Sequence, residues 1–300
     1  MLVVSGEFTI RQLENLIAYT GLGKISVGFV LLAVMTSLPE VTVAVFSILQ
    51  GNPGLSIGDI FGSNVFNMGL VVGVIAVAGF FKKCCTDLLV ELTDLLFLIT
   101  LIPLLLLISG YEVFQIPSTI IGVILLGAFA VNTFLIVRRK TPKIEETRRI
   151  SVGKAKLTKV VVILVASLAV LIVAARLIVY SGINIATSLG VSEVVIGAKI
   201  VAVGTSLPEL AVGFLAAKRG NIPLAVGNVV GSNLTNLTLV LGLVLLTVPF
   251  VADLGALTEI MPFLIISTII FWRSILRGGV SRVSGIALIL TYVVFAVVLV

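Results

Sequence analysis

Long apolar runs, separated by short polar gaps, fill the chain. They lie at roughly 24–49, 56–81, 92–109, 117–137, 160–181, 190–217, 223–252, 256–272 and 283–300. The runs do not alternate with period two, so they predict helices rather than strands. A bilayer core takes ~20 apolar residues of helix, and the nine runs predict nine spans. A transmembrane barrel would need shorter, alternating segments. Residues 7–23 interleave apolar positions with Arg11 and Glu14, which predicts a short amphipathic segment at the membrane surface.

Composition fits that pattern. Of 300 residues, 59% are hydrophobic and 11% charged, and the mean hydropathy is +1.28. A soluble domain carries far more charge, and no stretch between the runs is large enough to be one. The chain therefore reads as an all-α polytopic membrane protein, with the lipid bilayer as its main partner. The net charge of +6 does not point to nucleic acid, because it is placed in loops. Lys82-Lys83, the segment 138–159, Lys218-Arg219 and the group Arg273, Arg277 and Arg282 are basic. Segment 138–159 alone holds nine Lys or Arg against two Glu. Loops 50–55, 110–116 and 251–258 have neither Lys nor Arg. If span 24–49 runs outward, all four basic loops face the cytoplasm. The amino terminus is then cytoplasmic and the carboxyl terminus outside, with a prokaryotic plasma membrane as the default location. The 138–159 loop predicts a solvated connector on an anionic leaflet. Adjacent Cys84 and Cys85 predict free thiols near a membrane face. The chain has no His, which argues against zinc or copper.

A repeat organises the rest. Residues 28–73 align without a gap to 197–242, with 20 of 46 positions identical. The matches include Thr36/Thr205, Ser37/Ser206, Pro39/Pro208 and Glu40/Glu209, within TSLPE at 36–40 and 205–209. They also include Gly62/Gly231, Ser63/Ser232, Asn64/Asn233 and Asn67/Asn236. On the charge-derived topology the two copies run in opposite directions. That predicts an inverted repeat of about five helices each: 1–137, the basic loop 138–159, then 160–300. The first helix of the first half is expected to be largely absent, reduced to residues 1–5. Secondary transporters have this architecture, with a site at the repeat interface. Packing alone would not keep Glu, Asn and Ser at matched depths, since a carboxylate in the bilayer centre costs ~2.5–3.5 kcal/mol or more.

The residue types suggest hard-cation chemistry. Pro39 and Pro208 lack N–H donors, which frees the carbonyls of Met35 and Gly204. Thr36 and Ser37 share a helix face with Glu40. Ser63 and Asn67 share another, as do Ser232 and Asn236. Two carboxylates with hydroxyl and amide oxygens suit Ca²⁺, which takes ~6–8 oxygen ligands. The same pocket suits several Na⁺ ions. Asp59, where the second copy has Asn228, is either an extra ligand or proton carrier, or an acid near a helix start. Arg176 and Lys199 predict snorkelling side chains.

These paired TSLPE and GSN-x-x-N segments resemble the two α-repeats of the calcium/cation antiporter superfamily, most closely its prokaryotic sodium/calcium exchangers. The resemblance implies a transporter rather than an enzyme, with no cofactor, carrying Ca²⁺ and Na⁺ by alternating access. It implies that Glu40 and Glu209 bind Ca²⁺ and compete for Na⁺. Thr36, Thr205, Ser63 and Ser232 would add Na⁺ ligands, joined by the carbonyls of Ala33 and Ala202. Asn67 and Asn236 would lie at the centre, and Ser37 and Ser206 at its border. Met35 departs from the Gly usual there, and is expected to stiffen or crowd the first break. Asn236 stands where potassium-dependent relatives have Asp, which argues against K⁺ co-transport. Two alternatives stay open. One is H⁺-coupled Ca²⁺ exchange, which the TSLPE form disfavours and Asp59 keeps alive. The other is an ion-binding membrane protein or pore without coupled transport.

Overall fold

The computed structural model describes residues 8–9, 11–16, 19, 32–49, 51, 53–81, 87–110, 117–138, 158–170, 173, 193–247 and 254–298. The expectations for Cys84 and Cys85, Lys82-Lys83, Arg176, residues 1–5 and most of the 138–159 loop lie outside these residues.

Among the described residues the elements are helical. We label them α1, Leu38–Leu49, preceded by the short turn Val34–Thr36; α2, Pro53–Val77; α3, Asp87–Gly110; α4, Ser118–Arg138; and α5, Thr158–Val170. Then follow α6, Val194–Thr205; α7, Leu207–Lys218; α8, Ile222–Thr247; α9, Leu254–Leu276; and α10, Arg282–Val298. Four of them, α2, α4, α8 and the Leu257–Leu276 part of α9, are long and apolar enough to cross a membrane, and the bent pair α6–α7 makes a fifth. Helix α3 has the length but carries Asp87, Glu91 and Asp94 in its first turns.

The bounds repeat with the sequence. Leu38–Leu49, Pro53–Phe66 and the π-helical turn Asn67–Val71 return 169 positions later as Leu207–Lys218, Ile222–Thr235 and the π-helical turn Asn236–Val240. Even the hairpin turns match. Gly51 and Gly220 have φ of 76° and 78°, values that an L side chain resists. Each closes its helix with an N–H to the carbonyl three residues back, Ile48 and Ala217.

Packing follows the same exchange of halves. The end of α2 packs against α10 as the end of α8 packs against α4. Both contacts are made through glycine. A Cβ on Gly73 would meet the Gly285 carbonyl at 3.0 Å, and one on Gly122 would meet the Gly242 carbonyl at 2.9 Å. Helix α2 also crosses α6, with backbone on backbone. A Cβ on Gly58 would stand 2.9 Å from the Ala198 nitrogen, and one on Gly197 would stand 2.9 Å from the Asp59 nitrogen. Small residues allow such an approach, which side chains would forbid.

Burial separates centre from rim. Helices α2 and α8 are 83% buried over their apolar windows, whereas α4 is 22% buried. The rim displays Val123, Ile124 and Val131 on α4, and Ile286, Leu290 and Val297 on α10. Apolar side chains on that scale suit lipid rather than water.

The segment expected at the membrane surface is a correction. Residues 11–16 are helical, but Leu13 is fully buried and Leu16 joins the main core. Thr9 meets Ser167 of α5 at 2.9 Å, and Asn221 donates to Glu14 at 2.6 Å. Its apolar stripe is satisfied by protein. Periodicity alone cannot distinguish that from a lipid interface.

Candidate functional site

The two helix breaks come from local sequence. In each TSLPE copy proline cannot donate to the preceding turn, and the chain leaves helical geometry two residues earlier. Ser37 takes φ −80° and ψ 4°, and Ser206 takes φ −88° and ψ 2°. The α6–α7 break bends by 40°. Met35 was expected to stiffen or crowd the first break. Both breaks nevertheless fall at the same serine with nearly the same dihedrals, and Met35 sits half-buried against the core. The break restarts a helix, so Glu40 and Glu209 both occupy a first turn.

These two glutamates face a common interior. Both are fully buried, as are Thr36, Ser37, Ser206, Ser63, Ser232, Asn67 and Asn236, with Thr205 nearly so. Glu40 lies within electrostatic range of Glu209 and Asp59. The Thr205 side chain stands beside Glu40, and the Thr36 side chain stands beside Glu209. Each half thus sets a threonine near the other half's glutamate.

Two mirrored oxygen clusters result. In the first, Thr205 Oγ1 lies 2.9 Å from Asp59 Oδ1, 3.3 Å from the Ala202 carbonyl and 3.2 Å from Ser63 Oγ. Ser63 Oγ is also 3.4 Å from Asp59 Oδ1 and 3.5 Å from the Ala202 carbonyl. In the second, Thr36 Oγ1 lies 3.3 Å from the Ala33 carbonyl, 3.4 Å from Asn228 Oδ1 and 3.3 Å from Ser232 Oγ. Ser232 Oγ donates to Glu209 Oε1 at 3.1 Å. Thr205, Ala202, Ser63 and Asp59 of the first cluster have their counterparts Thr36, Ala33, Ser232 and Asn228 in the second at the repeat spacing, whereas Glu209 joins the second without Glu40 joining the first. In each, the close oxygen–oxygen approaches outnumber the protons of its two hydroxyls. Lone pairs are therefore in surplus over protons in both clusters. Such an arrangement suits a cation. Oxygens around an ion at about 2.3–2.6 Å would stand about 3.3–3.7 Å apart in a six-coordinate shell.

Orphaned polar atoms gather in the same region. Among the described residues, neither carboxylate oxygen of Glu40 has a hydrogen bond, nor do Asp59 Oδ2, Glu209 Oε2, Ser37 Oγ, Ser206 Oγ, Asn67 Oδ1 and both amide atoms of Asn236. Native interiors leave few buried polar groups unpaired. Among the described residues no three His, Cys, Asp or Glu side chains converge as a metal cluster. The carboxylates are interleaved with hydroxyl, amide and main-chain oxygens, a donor set for a hard ion rather than for zinc.

Some expectations need refinement. The carbonyls of Ala33 and Ala202 are not free, since they accept the Ser37 and Ser206 N–H groups at 3.0 and 3.1 Å. Each keeps a second lone pair. Lys199 lies half-buried in the π-helical turn Gly197–Val201. Two asparagines of the GSN segments join the centre without having been expected there. Asn67 Nδ2 donates to Asn233 Oδ1 at 2.9 Å, and Asn233 Nδ2 reaches the Asn64 carbonyl at 3.4 Å. Asn64 and Asn233 recur at the repeat spacing, which was the signal available. Spacing within one copy cannot reveal that they bridge the copies.

The sodium/calcium exchanger protein family model matches residues 1–138 and 159–300. The chain belongs to the sodium/calcium exchanger family. It is a transporter of the membrane, not an enzyme. The chain is 29% identical over 335 aligned positions to the sodium/calcium exchanger MaX1 of Methanosarcina acetivorans, covering 99% of this chain and 95% of that one. It is 30% identical to the CaxA protein of Alkalimonas amylolytica over 89% of this chain and 85% of that one. The structure of the sodium-calcium exchanger NCX_Mj soaked with Na⁺ superposes with a TM-score of 0.79 at 26% identity, covering 98% of this chain and 93% of that chain. NCX_Mj was also solved after soaking with Sr²⁺. The family match and the NCX_Mj superposition support cation/Ca²⁺ antiport for this chain.

Proposed function

We propose that this exchanger is a secondary active antiporter that moves Ca²⁺ against several Na⁺ by alternating access, with net charge crossing the membrane. The observation that carries this reading is the pair of proton-poor oxygen clusters beside two buried glutamates. Ca²⁺ is the cargo. Glu40 and Glu209 supply two negative charges, which balance one Ca²⁺. Several Na⁺ fit the same oxygens, with Thr36, Ser63, Ala33 and their counterparts Thr205, Ser232 and Ala202 as ligands. Asn67 and Asn236 complete the centre, bordered by Ser37 and Ser206. Ca²⁺ and Na⁺ exclude one another because they need the same carboxylates, and that exclusion couples their gradients.

In this reading the halves, 1–137 and 160–300, are inverted in the bilayer and joined by the cytoplasmic loop 138–159. Nine spans put the amino terminus in the cytoplasm of a prokaryotic cell and the carboxyl terminus outside. The glycine crossing of α2 and α6 and the buried α2 and α8 would form the fixed part. Broken helices beside a midplane site are the usual transporter solution.

The test is Ca²⁺ uptake into proteoliposomes loaded with Na⁺, repeated with a pH gradient in place of the Na⁺ gradient. Uptake driven by Na⁺ supports the reading. Uptake driven by the pH gradient alone overturns it in favour of H⁺ coupling, for which a third buried acid, Asp59, is the supporting observation.

A further inference from the structure

The repeat-related positions of the two oxygen clusters are alike except at one, and that one changes the charge. Asp59 and Asn228 occupy equivalent places, four residues before Ser63 and Ser232. Asp59 Oδ1 receives the Thr205 hydroxyl at 2.9 Å, whereas Asn228 Oδ1 meets the Thr36 hydroxyl at 3.4 Å. Both residues are fully buried. Asp59 Oδ2 has no hydrogen-bond partner among the described residues, and neither does Asn228 Nδ2. Asn228 therefore turns a neutral amide toward its cluster where Asp59 turns a carboxylate toward its own.

Sequence adds a second constraint. An acid near the start of a helix gains from the helix dipole, but Asp59 is the seventh residue of α2 and lies beyond that first turn. Its neighbours on the crossing helix come no nearer to compensating it. Gly197 presses its backbone against the Asp59 nitrogen, and Lys199 is not among the groups that bond Asp59. Glu40 and Glu209 both lie within electrostatic range. Two hydroxyls thus meet Asp59, two further carboxylates lie within electrostatic range, and among the described residues no cationic side chain bonds it. A buried charge without such a partner is costly, and only a proton or a bound cation balances it; the hydroxyls of Thr205 and Ser63 both point protons at Oδ1, which favours the carboxylate and so the cation.

We infer that Asp59 is a third carboxylate of the site, dedicated to a Na⁺ held by Asp59, Ser63, Thr205 and the Ala202 carbonyl. The inference rests on the Na⁺/Ca²⁺ reading above and deepens it. By accepting the Thr205 proton, Asp59 leaves the lone pairs of that hydroxyl to the ion. Its charge makes the first cluster bind a monovalent cation more tightly than the second. The two Na⁺ positions related by the repeat are then unequal, and Na⁺ fills the Asp59 position first. Asp59 thereby separates Na⁺ affinity from Ca²⁺ affinity, since Ca²⁺ is held chiefly by Glu40 and Glu209.

The test compares the wild-type protein with Asp59→Asn, Asp59→Glu and the double variant Asp59→Asn/Asn228→Asp in proteoliposomes. Asparagine is accommodated at the equivalent position 228, and gel filtration and melting in detergent check each fold. The half-saturating Na⁺ concentration is expected to rise roughly tenfold or more in Asp59→Asn, with the half-saturating Ca²⁺ concentration rising less than about threefold. The double variant, which moves the carboxylate to the second cluster, and Asp59→Glu should recover most of the lost Na⁺ affinity. Unchanged Na⁺ half-saturation in Asp59→Asn overturns the inference. So does a rise of the Na⁺ and Ca²⁺ values in equal proportion, which is the mark of a merely structural role. A second measurement keeps this separate from the transport reading: melting of the detergent-purified protein in NaCl against choline chloride. If the wild type shows no Na⁺-driven uptake, the transport reading fails. Na⁺-specific stabilisation that is lost in Asp59→Asn would still support Asp59 as a Na⁺ ligand, and its persistence in the variant would refute it.

Discussion

Glu40 presents two oxygens to the interior, with no donor on either among the described residues. A residue selected for stability alone would not be left so. Replacing it by Gln removes the charge and keeps the volume. Glu40→Gln and Glu209→Gln are each expected to abolish Ca²⁺ binding, with affinity falling by a factor on the order of 100 or more, as the loss of a buried charged ligand would give. In ion-free buffer the same variants should melt no lower than the wild type, because they remove an unpaired buried charge rather than a bond. Calorimetric titration with Ca²⁺ and thermal melting check the two halves of this statement. Wild-type affinity in either variant would remove that residue from the ligand set. Ligand types were legible in the sequence because Glu, Thr, Ser and Asn recur at one offset in an apolar chain. What the chain could not reveal is the pairing across the halves. Thr205 stands beside Glu40, and Thr36 beside Glu209, although each hydroxyl lies four residues from the glutamate of its own copy.

At the scale of the element, glycine sets how closely helices approach. A Cβ on Gly62 would stand 2.6 Å from the Ala198 Cα, a backbone clash that no rotamer relieves. Gly62→Ala is expected to destabilise the protein by about 1–3 kcal/mol, read as a lower melting temperature and a smaller monodisperse fraction in detergent. Gly127, with open space around it, is the control, and Gly127→Ala should be neutral or slightly stabilising. The Asn67–Asn233 bond is a different kind of link, polar and between copies. A double-mutant cycle with Asn67→Ala and Asn233→Ala should give a coupling of about 0.6 kcal/mol, and not more than about 1.7 kcal/mol. A coupling of zero would mean that the bond contributes nothing to joining the halves. Helix positions were readable from the apolar runs, and the hairpin glycines from their spacing. The π-helical turns at Asn67–Val71 and Asn236–Val240 were not, since one extra residue in a turn leaves hydrophobic periodicity almost unchanged. The buried helical stretch 11–16 was misplaced for a related reason. Its stripe demanded an apolar partner, but nothing local says whether that partner is lipid or the protein core.

At the scale of the whole molecule, the proposed exchange carries net charge. If more than two Na⁺ leave for each Ca²⁺ that enters, an inside-positive potential should accelerate Ca²⁺ uptake into Na⁺-loaded vesicles and an inside-negative one should slow it. One net charge is worth about 2.3 kcal/mol per 100 mV, roughly a 50-fold change in the accumulation ratio. Uptake indifferent to a clamped potential would exclude electrogenic exchange. The membrane class was plain from hydropathy, and the two-copy organisation from the offset. The arrangement of centre and rim was not. Helices α4 and α8 have similar hydropathy, yet one is mostly exposed and the other mostly buried. What distinguishes them is the polar content of α8, whose Asn228, Ser232 and Asn236 are fully buried. The crossing of α2 over α6 has a thermal consequence. Where backbone meets backbone there are no rotamers to freeze or release, so this junction has almost no conformational entropy to exchange as the cycle turns. The temperature dependence of turnover should then be set by the side-chain-rich helices around it, with the glycine junction acting as a pivot of nearly constant stiffness.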